Sequence, residues 1–454
     1  MNGLGREQCE STAPVFYSAT VVVREMDSPS LDLRPFKIMQ FPFTPKLVTQ
    51  IREGYSAAYF RKDALAGLTV AIVALPLSMA IAIASHAPPQ AGLFTAIIGG
   101  FLVSALGGSR FQIGGPAGAF IVLVASIIDA HGMAGLMLAT MMAGAIMVVG
   151  ALLRLGSLVR HVPHAVTVGF TAGIAVIIFA SQIHDLFGLT LAAPEPGDLV
   201  HKLKALWQAS PTANPWAIAL AACTIAIIVA IRTWRPLWPS LLIAVVLAST
   251  AAWALQLPVE TIGTRFGGIP SMLPFPSLPS FEGQSLLALL PSAISLAVLG
   301  SIESLLSAVV ADGMTGRLHR SNAELVAQGV ANILTPLFGG ITVTGTIART
   351  ATNVKAGAHG PISGMMHALY VLLFMLLAAP LMSLIPLAAL AGILALVAWN
   401  MVEKKEILKL VHWAPLLVLA VTFLVTIFRD LIEGIAAGII LSLLLNWLAP
   451  RRQS

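Results

Sequence analysis

Long apolar segments, separated by short polar connections, run through this chain from about residue 64 to residue 448. Most of them approach the length of about 20 residues that an α-helix needs to cross the hydrocarbon core of a bilayer. Hydrophobic residues make up 57% of the 454 positions and charged residues 10%, whereas soluble globular proteins carry about 25% charged residues. The sequence therefore predicts an all-α polytopic membrane protein embedded in a lipid bilayer.

Fourteen transmembrane segments fit the apolar pattern and the placement of the basic residues. We place them near residues 64–84, 91–107, 116–128, 134–155, 163–186, 215–232, 236–256, 286–311, 321–337, 346–357, 361–382, 384–400, 412–428 and 430–448. The third and the tenth are too short to cross alone, so an extended piece must complete each passage. Because each half contains seven segments, an odd number, the sequence predicts a seven-plus-seven inverted repeat.

The polar connections divide the chain into five parts. We expect an amino-terminal cytoplasmic segment over 1–60, a first repeat over 61–257, a connecting loop over 258–285, a second repeat over 286–449 and a tail over 450–454. Within the first part, residues 16–24 could form a strand, and 45–59 suggest an amphipathic helix at the membrane interface.

The basic residues form short clusters between the apolar segments, and these clusters fall on one side of the predicted membrane. This distribution is typical of cytoplasmic loops, so the net charge of +6 does not indicate a nucleic-acid partner. We expect a location in the cell inner (plasma) membrane with both termini in the cytoplasm.

Two stretches interrupt the apolar pattern at corresponding positions of the two halves. Residues 110–126 (RFQIGGPAGAFIVLVAS) and 338–357 (FGGITVTGTIARTATNVKAG) each combine a basic residue, a short extended piece, closely spaced glycines and the start of a short helix. Non-helical backbone at membrane depth is tolerated only where protein or a water-filled cavity surrounds it. Paired interruptions of this kind indicate the substrate site of a transporter.

A small anion is the ligand that these stretches favour. The short helices beginning near Ala117 and Thr346 would bring two amino termini together, and each supplies partial positive charge and free N–H donors. Arg349, one turn into the second short helix, adds a full positive charge.

Glu303 is the other polar residue that stands out, because it lies in the middle of the apolar run 286–311. A carboxylate at membrane depth costs about 2.5–3.5 kcal/mol and usually has a function or a partner. It is therefore either the site of a coupling ion, H⁺ or Na⁺, or an ion-pair partner of Arg349.

Residues for other kinds of chemistry are missing from the pattern. The two cysteines and the scattered histidines match no metal site, and no nucleophile–base pair stands out. We therefore expect neither an enzyme nor a cofactor beyond the coupling ion.

Four motifs resemble the SulP family of anion transporters, the sulfate permease or solute-carrier-26 group, over roughly residues 55–450. They are DALAGLTVAIVALPLSMAIAIA (63–84), GGSRFQIGGPAGAF (107–120), SIESLLSA (301–308) and GGITVTGTIARTATNVKAGAHGPISG (339–364). The resemblance implies a UraA-like fold with a core domain, segments 1–4 and 8–11, and a gate domain, segments 5–7 and 12–14. It also implies a homodimer and an elevator-like movement of the core.

The resemblance assigns ten site residues in this numbering. Substrate-binding positions would be Leu77, Ala117, Gly118, Ala119, Phe120, Thr346, Ile347, Ala348 and Arg349, with Glu303 as the coupling site. Three positions depart from the family pattern: Leu77 and Ile81 stand where many members have Gln and an aromatic residue, and Ala348 stands where Ser is common. The family's soluble STAS domain is not found in these 454 residues.

Secondary active transport of a small anion, coupled to H⁺ in preference to Na⁺, is the leading hypothesis. Sulfate, bicarbonate and a dicarboxylate such as fumarate are the candidate substrates. The alternatives are an uncoupled anion channel or exchanger, a nucleobase–cation symporter of the same fold, and a membrane scaffold or sensor without transport.

Overall fold

The computed structural model describes residues 43–156, 163–193, 195–196, 199–235, 238–402, 404–410, 412–429 and 431–448. The strand considered for 16–24, most of the amino-terminal segment and the tail 450–454 lie outside these described residues.

Eighteen helices and two short strands occupy the described part of the chain. In chain order the helices are α1 Lys46–Arg52, α2 Ala57–Ala84, α3 Pro89–Phe94, α4 Gly100–Leu106, α5 Ile121–Leu152, α6 His164–Phe187, α7 Leu199–Gln208, α8 Pro215–Trp234, α9 Ser240–Ala254, α10 Ile262–Phe266, α11 Leu286–Thr315, α12 Ser321–Leu334, α13 Ile347–Lys355, α14 Ile362–Met382, α15 Leu387–Met401, α16 Lys404–Lys409, α17 Trp413–Phe428 and α18 Leu431–Leu448. The strands are β1 Gly114–Gly115 and β2 Thr344–Gly345. A π-turn, Thr95–Gly99, joins α3 to α4, and a 3₁₀ turn, Gly118–Phe120, leads into α5.

Eight helical runs in the described residues are long and apolar enough to cross a membrane. They are α2, α6, α8, α11, α14 and the runs Pro89–Leu106, Gly118–Leu152 and Leu387–Leu408. Three shorter apolar helical stretches, α9, α17 and Glu433–Leu445, accompany them. These helices confirm the prediction of a helical polytopic membrane protein.

The two interrupted stretches meet in the folded chain. β1 pairs antiparallel with β2, so that Gly114 lies opposite Gly345 and Gly115 opposite Thr344. Beside them the backbone carbonyl of Ile113 accepts a hydrogen bond from the Thr346 N–H at 3.0 Å. The non-helical backbone of each half therefore satisfies that of the other, as the absence of water in a bilayer requires.

Glycines mark the limits of two expected segments. The third and fourth predicted segments, 116–128 and 134–155, meet at Gly132, whose φ of 69° and ψ of −179° are not helical, so α5 consists of two helices that join at this glycine. The interfacial helix expected over 45–59 ends at Arg52, because the chain turns at Gly54 with a φ of 91°. A new helix, α2, then begins after Ser56, whose hydroxyl accepts a hydrogen bond from the Tyr59 N–H at 3.3 Å.

The long helices pack in two groups. We call α2, α4, α5 and α11 to α14 the α2 group, because they pack chiefly on one another. The α6 group consists of α6, α8, α9, α15, α17 and α18. Within the α2 group, α5 and α12 approach closely at Gly144 and Gly329, where an added methyl group would overlap the opposite backbone. Small residues allow such close packing between membrane helices. Both strands and both short-helix starts belong to the side of the α2 group.

Candidate anion-binding site

A cavity of about 440 Å³ lies between the two helix groups, at the starts of both short helices. From the α2 group and its chain breaks it is lined by Leu77, Ile81, Pro116, Ala117, Gly118, Ala119, Leu299, Ile302, Glu303, Leu306, Thr346, Ile347, Ala348 and Arg349. From the α6 group it is lined by Val166, Thr167, Phe170, Thr171, Arg232, Val397, Asn400, Met401 and Ile435. The lining is mostly apolar, with a few polar groups, as is usual for small-molecule sites.

Buried side chains hold the second chain break in place. Asn332 brackets Val343, donating to its carbonyl at 2.8 Å and accepting from its N–H at 3.0 Å. The Thr95 hydroxyl does the same for Ile341, accepting from its N–H at 2.8 Å and donating to its carbonyl at 3.1 Å. A residue whose N–H and carbonyl are both hydrogen-bonded has little freedom, so these bonds hold the extended segment that leads to α13.

The two short helices begin at the cavity wall without side-chain caps. Ala117 and Thr346, the residues before the first turns, are both extended, with φ values of −121° and −102°. Neither first turn receives a hydrogen bond from the side chain of its N-cap residue. The first N–H groups of a helix have no partner within the helix. An anion in the cavity would meet two such amino termini.

Arg349 is a buried cation without a buried anion. Its side chain is only 1% exposed. Nη2 donates to the Ser78 hydroxyl at 3.1 Å and to the Pro116 carbonyl at 3.3 Å, whereas Nε and Nη1 have no hydrogen-bond partner among the described residues. Within that part of the chain no carboxylate lies within the 4.0 Å of an ion pair with Arg349. Burying a charge without compensation is costly, and an anion in the cavity would provide that compensation.

Glu303 enters the same cavity from α11. The residue is half-buried, and its Oε2 atom is shielded from solvent without a hydrogen-bond partner in the described residues. It forms no ion pair with Arg349, so the structure does not support the role of a structural partner for that arginine. A carboxylate in this position has room for a proton or a cation beside the cavity.

Nine of the ten residues assigned from the sequence line this cavity: Leu77, Ala117, Gly118, Ala119, Thr346, Ile347, Ala348, Arg349 and Glu303. Phe120 does not. It is 2% exposed and lies behind the wall, where its ring would be 3.5 Å from a methyl group added to Gly300. The expectation of a substrate contact at Phe120 therefore does not match its place in the fold.

The wall from the α6 group was missed at the sequence level. Thr167 and Thr171 are four residues apart on α6, which puts both hydroxyls on one face of a mostly apolar stretch of that helix. That spacing and the position of Arg232 at the end of α8 were the available signals. Ser78 was also missed, although it contacts the Arg349 guanidinium.

The two helix groups approach each other at Gly118. A methyl group at this position would lie 3.3 Å from Cδ1 of Ile178 on α6 and 3.8 Å from the sulfur of Met401 on α15. Glycine therefore permits the short-helix start to approach the α6 group.

Metal chemistry finds no support in the described part of the chain, where no group of three or more His, Cys, Asp or Glu residues could hold a metal ion.

The sequence of this chain is similar to those of known proteins. The sequence profile described as "Sulfate permease family" matches residues 60–446. YvdB of Bacillus subtilis is 44% identical over 394 residues, covering 86% of this chain and 74% of YvdB. The bicarbonate transporter BicA of a Picosynechococcus species is 32% identical over 392 residues, covering 84% of this chain and 69% of BicA.

Solved structures agree with this comparison. The transmembrane domain of a cyanobacterial bicarbonate transporter BicA superposes with a TM-score of 0.74 at 32% identity, covering 86% of this chain and 98% of that domain. The murine anion transporter Solute Carrier 26 family member A9, in an inward-facing state, gives a TM-score of 0.81 at 19% identity, covering 95% and 77% of the two chains. The second likeness concerns the fold alone.

Proposed function

Since this chain belongs to the sulfate permease family, we propose that it carries a small anion across the membrane and binds that anion in the cavity between the two chain breaks. The family consists of transporters, and sulfate and bicarbonate transporters are among its relatives. The protein is accordingly a membrane transporter and not an enzyme.

The main support for the proposed site is that the guanidinium of Arg349 is buried and only partly hydrogen-bonded among the described residues. Its guanidinium has two nitrogen atoms without a partner, and no carboxylate within the described residues neutralises it. The uncapped starts of α13 and of the Gly118 turn add further donors at the same cavity. Three sources of positive potential around one cavity favour a negatively charged ligand over a neutral nucleobase.

For the architecture we propose fourteen crossings arranged as a UraA-like seven-plus-seven inverted repeat, with the α2 group as the core and the α6 group as the gate. The β1–β2 pairing links both chain breaks within one group, which supports their movement as one body. An elevator-like displacement would carry the anion with the α2 group past Ile178 and Met401. A homodimer, with the α6 group as the fixed part, completes this proposal.

For the orientation we propose that Arg232 marks the cytoplasmic side of the cavity. Arg154, Arg317 and Arg320 also lie in or near connections between long helices. An excess of such cations is typical of cytoplasmic loops.

For the coupling we propose that Glu303 takes up H⁺, or alternatively holds Na⁺, when the anion binds. One of its carboxylate oxygens has no partner among the described residues, and a proton or a cation would satisfy it. Binding a monovalent anion beside Arg349 and a monovalent cation on Glu303 would keep the net charge of the moving part constant, and for a dianion the cation would offset one of the two charges.

The relatives and the cavity support different candidate anions. Sulfate and bicarbonate are supported by the names of the relatives. A dicarboxylate such as fumarate is supported by the cavity volume of about 440 Å³ and by the apolar Leu77 wall. A single water molecule takes up about 30 Å³, so there is space for an anion of several heavy atoms.

Uptake into proteoliposomes tests this function. Labelled sulfate, bicarbonate and fumarate would each be offered with an imposed H⁺ gradient, an imposed Na⁺ gradient or neither. The proposal expects one anion to accumulate above its external concentration under one gradient. Downhill flux that ignores both gradients would indicate a channel or an exchanger, and no flux of any anion would contradict transport.

A further inference from the structure

The short helix α1 is held at both ends by neighbouring loops. At its start the Lys46 N–H donates to the Gly107 carbonyl at 2.9 Å. Just beyond its end, Nη2 of Arg110 donates to a carboxylate oxygen of Glu53 at 2.6 Å. Therefore α1 packs on the loop between α4 and β1.

Arg320 fixes the same helix from the connection between α11 and α12. Its Nη1 donates to the Thr44 carbonyl at 2.8 Å and to the Thr49 hydroxyl at 2.9 Å. These contacts bring Lys46, Arg110 and Arg320 together, and we call them the α1 cation cluster.

Two donors of the α1 cation cluster lack partners among the described residues. Arg110 is 9% exposed, yet its Nη1 has no hydrogen-bond partner among the described residues. The ammonium of Lys46 is half-buried and makes no hydrogen bond or ion pair within that part of the chain. Burial and the neighbouring Arg320 and Arg110 lower the pKa of Lys46 to about 8. A negatively charged group near Lys46 would stabilise its charged form.

The carboxylates that face Lys46 are already engaged elsewhere. Glu53 is bound by Arg110, and that hydrogen bond lowers the pKa of the Glu53 carboxyl. Asp312, at the end of α11, accepts hydrogen bonds from the N–H of His319 at 3.1 Å and from its ring nitrogen at 2.6 Å. Neither of these two carboxylates is therefore free to neutralise Lys46.

We propose that the α1 cation cluster binds a phosphate group, most suitably the phosphodiester of an anionic phospholipid headgroup. A tetrahedral oxyanion has enough acceptor oxygens to reach an ammonium and a guanidinium at once. Ile51, on the same short helix, is 59% exposed and offers an apolar contact for a lipid chain. Basic pockets on the cytoplasmic side of membrane proteins bind such headgroups. The site is separate from the transport cavity and does not depend on the proposed function.

Thermal unfolding of the purified full chain in detergent tests the proposal. Short-chain phosphatidylglycerol, short-chain phosphatidylcholine and inorganic phosphate would be titrated separately. We expect phosphatidylglycerol to raise the unfolding temperature saturably and phosphatidylcholine to have no such effect. Stabilisation by inorganic phosphate alone would identify free phosphate as the ligand of the same cluster, and stabilisation by neither phosphate source would overturn the proposal.

Variants of Lys46 connect the effect to this site. Lys46→Gln should raise the phosphatidylglycerol concentration that gives half of the maximal stabilisation, the midpoint, by about tenfold. This change corresponds to about 1.4 kcal/mol. Lys62→Gln removes an equally positive but exposed side chain of α2 and should leave the midpoint unchanged. An unchanged midpoint in Lys46→Gln, or equal losses in both variants, would contradict a specific site.

The pH dependence gives a second readout. A phosphodiester keeps its charge between pH 7 and pH 9, whereas Lys46 loses its proton around its pKa of about 8. The affinity of the wild-type chain should therefore fall as the pH rises through 8. Lys46→Arg should keep its affinity at pH 9, because a guanidinium remains charged there. The same pH dependence in wild type and Lys46→Arg would overturn the assignment of Lys46. This experiment does not depend on a transport measurement.

Discussion

The guanidinium of Arg349 lies against the backbone of Gly115, so closely that a methyl group on Gly115 would overlap Nη1. Arg349 belongs to α13 in the second half of the chain and Gly115 to β1 in the first half. The strand pairing of Gly115 with Thr344 holds the two backbones together at this point. The charge of one chain break is therefore positioned by the backbone of the other.

Gly115→Ala should move the Arg349 guanidinium without unfolding the protein, since the end of a flexible side chain yields before backbone does. Loss of one charge-assisted hydrogen bond costs about 1.5–3 kcal/mol. We therefore expect the KM for the transported anion to rise at least about tenfold. Gly313→Ala is the control, because a methyl group there meets open space. Unaltered KM in Gly115→Ala would mean that the anion does not use Arg349.

Ser78→Ala should weaken the anion site more mildly. The Ser78 hydroxyl donates to the Ala74 carbonyl at 2.7 Å and accepts from Arg349 Nη2 at 3.1 Å, so its removal loosens the guanidinium. A hydrogen bond to a charged group is worth about 1.5–3 kcal/mol, and because Ser78 acts on the anion only through Arg349, we expect part of this loss to reach the substrate, a rise in KM of about fivefold. Ser85→Ala is matched, since Ser85 is buried directly after the same helix and its hydroxyl donates to the Ile81 carbonyl at 2.7 Å without touching Arg349. Equal effects of both changes would place the cause in α2 and not in Arg349.

Glu303→Gln should separate anion movement from the driving ion. The amide keeps the size of the carboxyl but cannot take up a proton or carry a negative charge for Na⁺. We expect gradient-driven accumulation to disappear, and any remaining flux to run downhill and to ignore the imposed gradient. Glu282→Gln, an exposed carboxylate of the connection before α11, should accumulate anion like the wild type. Full gradient-driven accumulation in Glu303→Gln would remove Glu303 from the coupling step.

Gly345→Ala should destabilise the fold. A methyl group on Gly345 would overlap the buried side chain of Gln112, whose amide donates to the Ser304 carbonyl at 3.1 Å. Overpacking of this kind costs about 1–3 kcal/mol. Thermal unfolding in detergent would show the loss, and Gln112→Ala in the same chain should recover part of it, because the two positions are coupled. Strictly additive losses would contradict the close contact.

The sequence predicted the helical membrane architecture and the proximity of the two chain breaks, and the reason is physical. Residues 110–126 and 338–357 combine glycines with a basic residue at membrane depth. Backbone that departs from a helix there must be surrounded by protein or by a water-filled cavity. The two stretches were therefore predicted to lie inside the protein. The register that joins Gly114 to Gly345 was not accessible, because two residues per strand carry no alternating pattern.

The opposite wall of the cavity was hidden for a different reason. Val166, Phe170 and Val397 are apolar residues on apolar helices, where a cavity wall, a helix contact and a lipid contact look the same. Phe120 shows the converse, since it adjoins three cavity residues in sequence but is turned into the α2 group beside Gly300. Neighbourhood in the chain does not give the direction of a side chain in a 3₁₀ turn.

The central claim is that the transported anion neutralises Arg349 in the cavity between the chain breaks. Equilibrium binding of the labelled transported anion to the purified protein, in wild type and Arg349→Gln, tests it most directly. The account predicts saturable binding in the wild type and at least about a tenfold loss in Arg349→Gln, with both proteins unfolding at similar temperatures. Binding of equal affinity to a folded Arg349→Gln protein would contradict it.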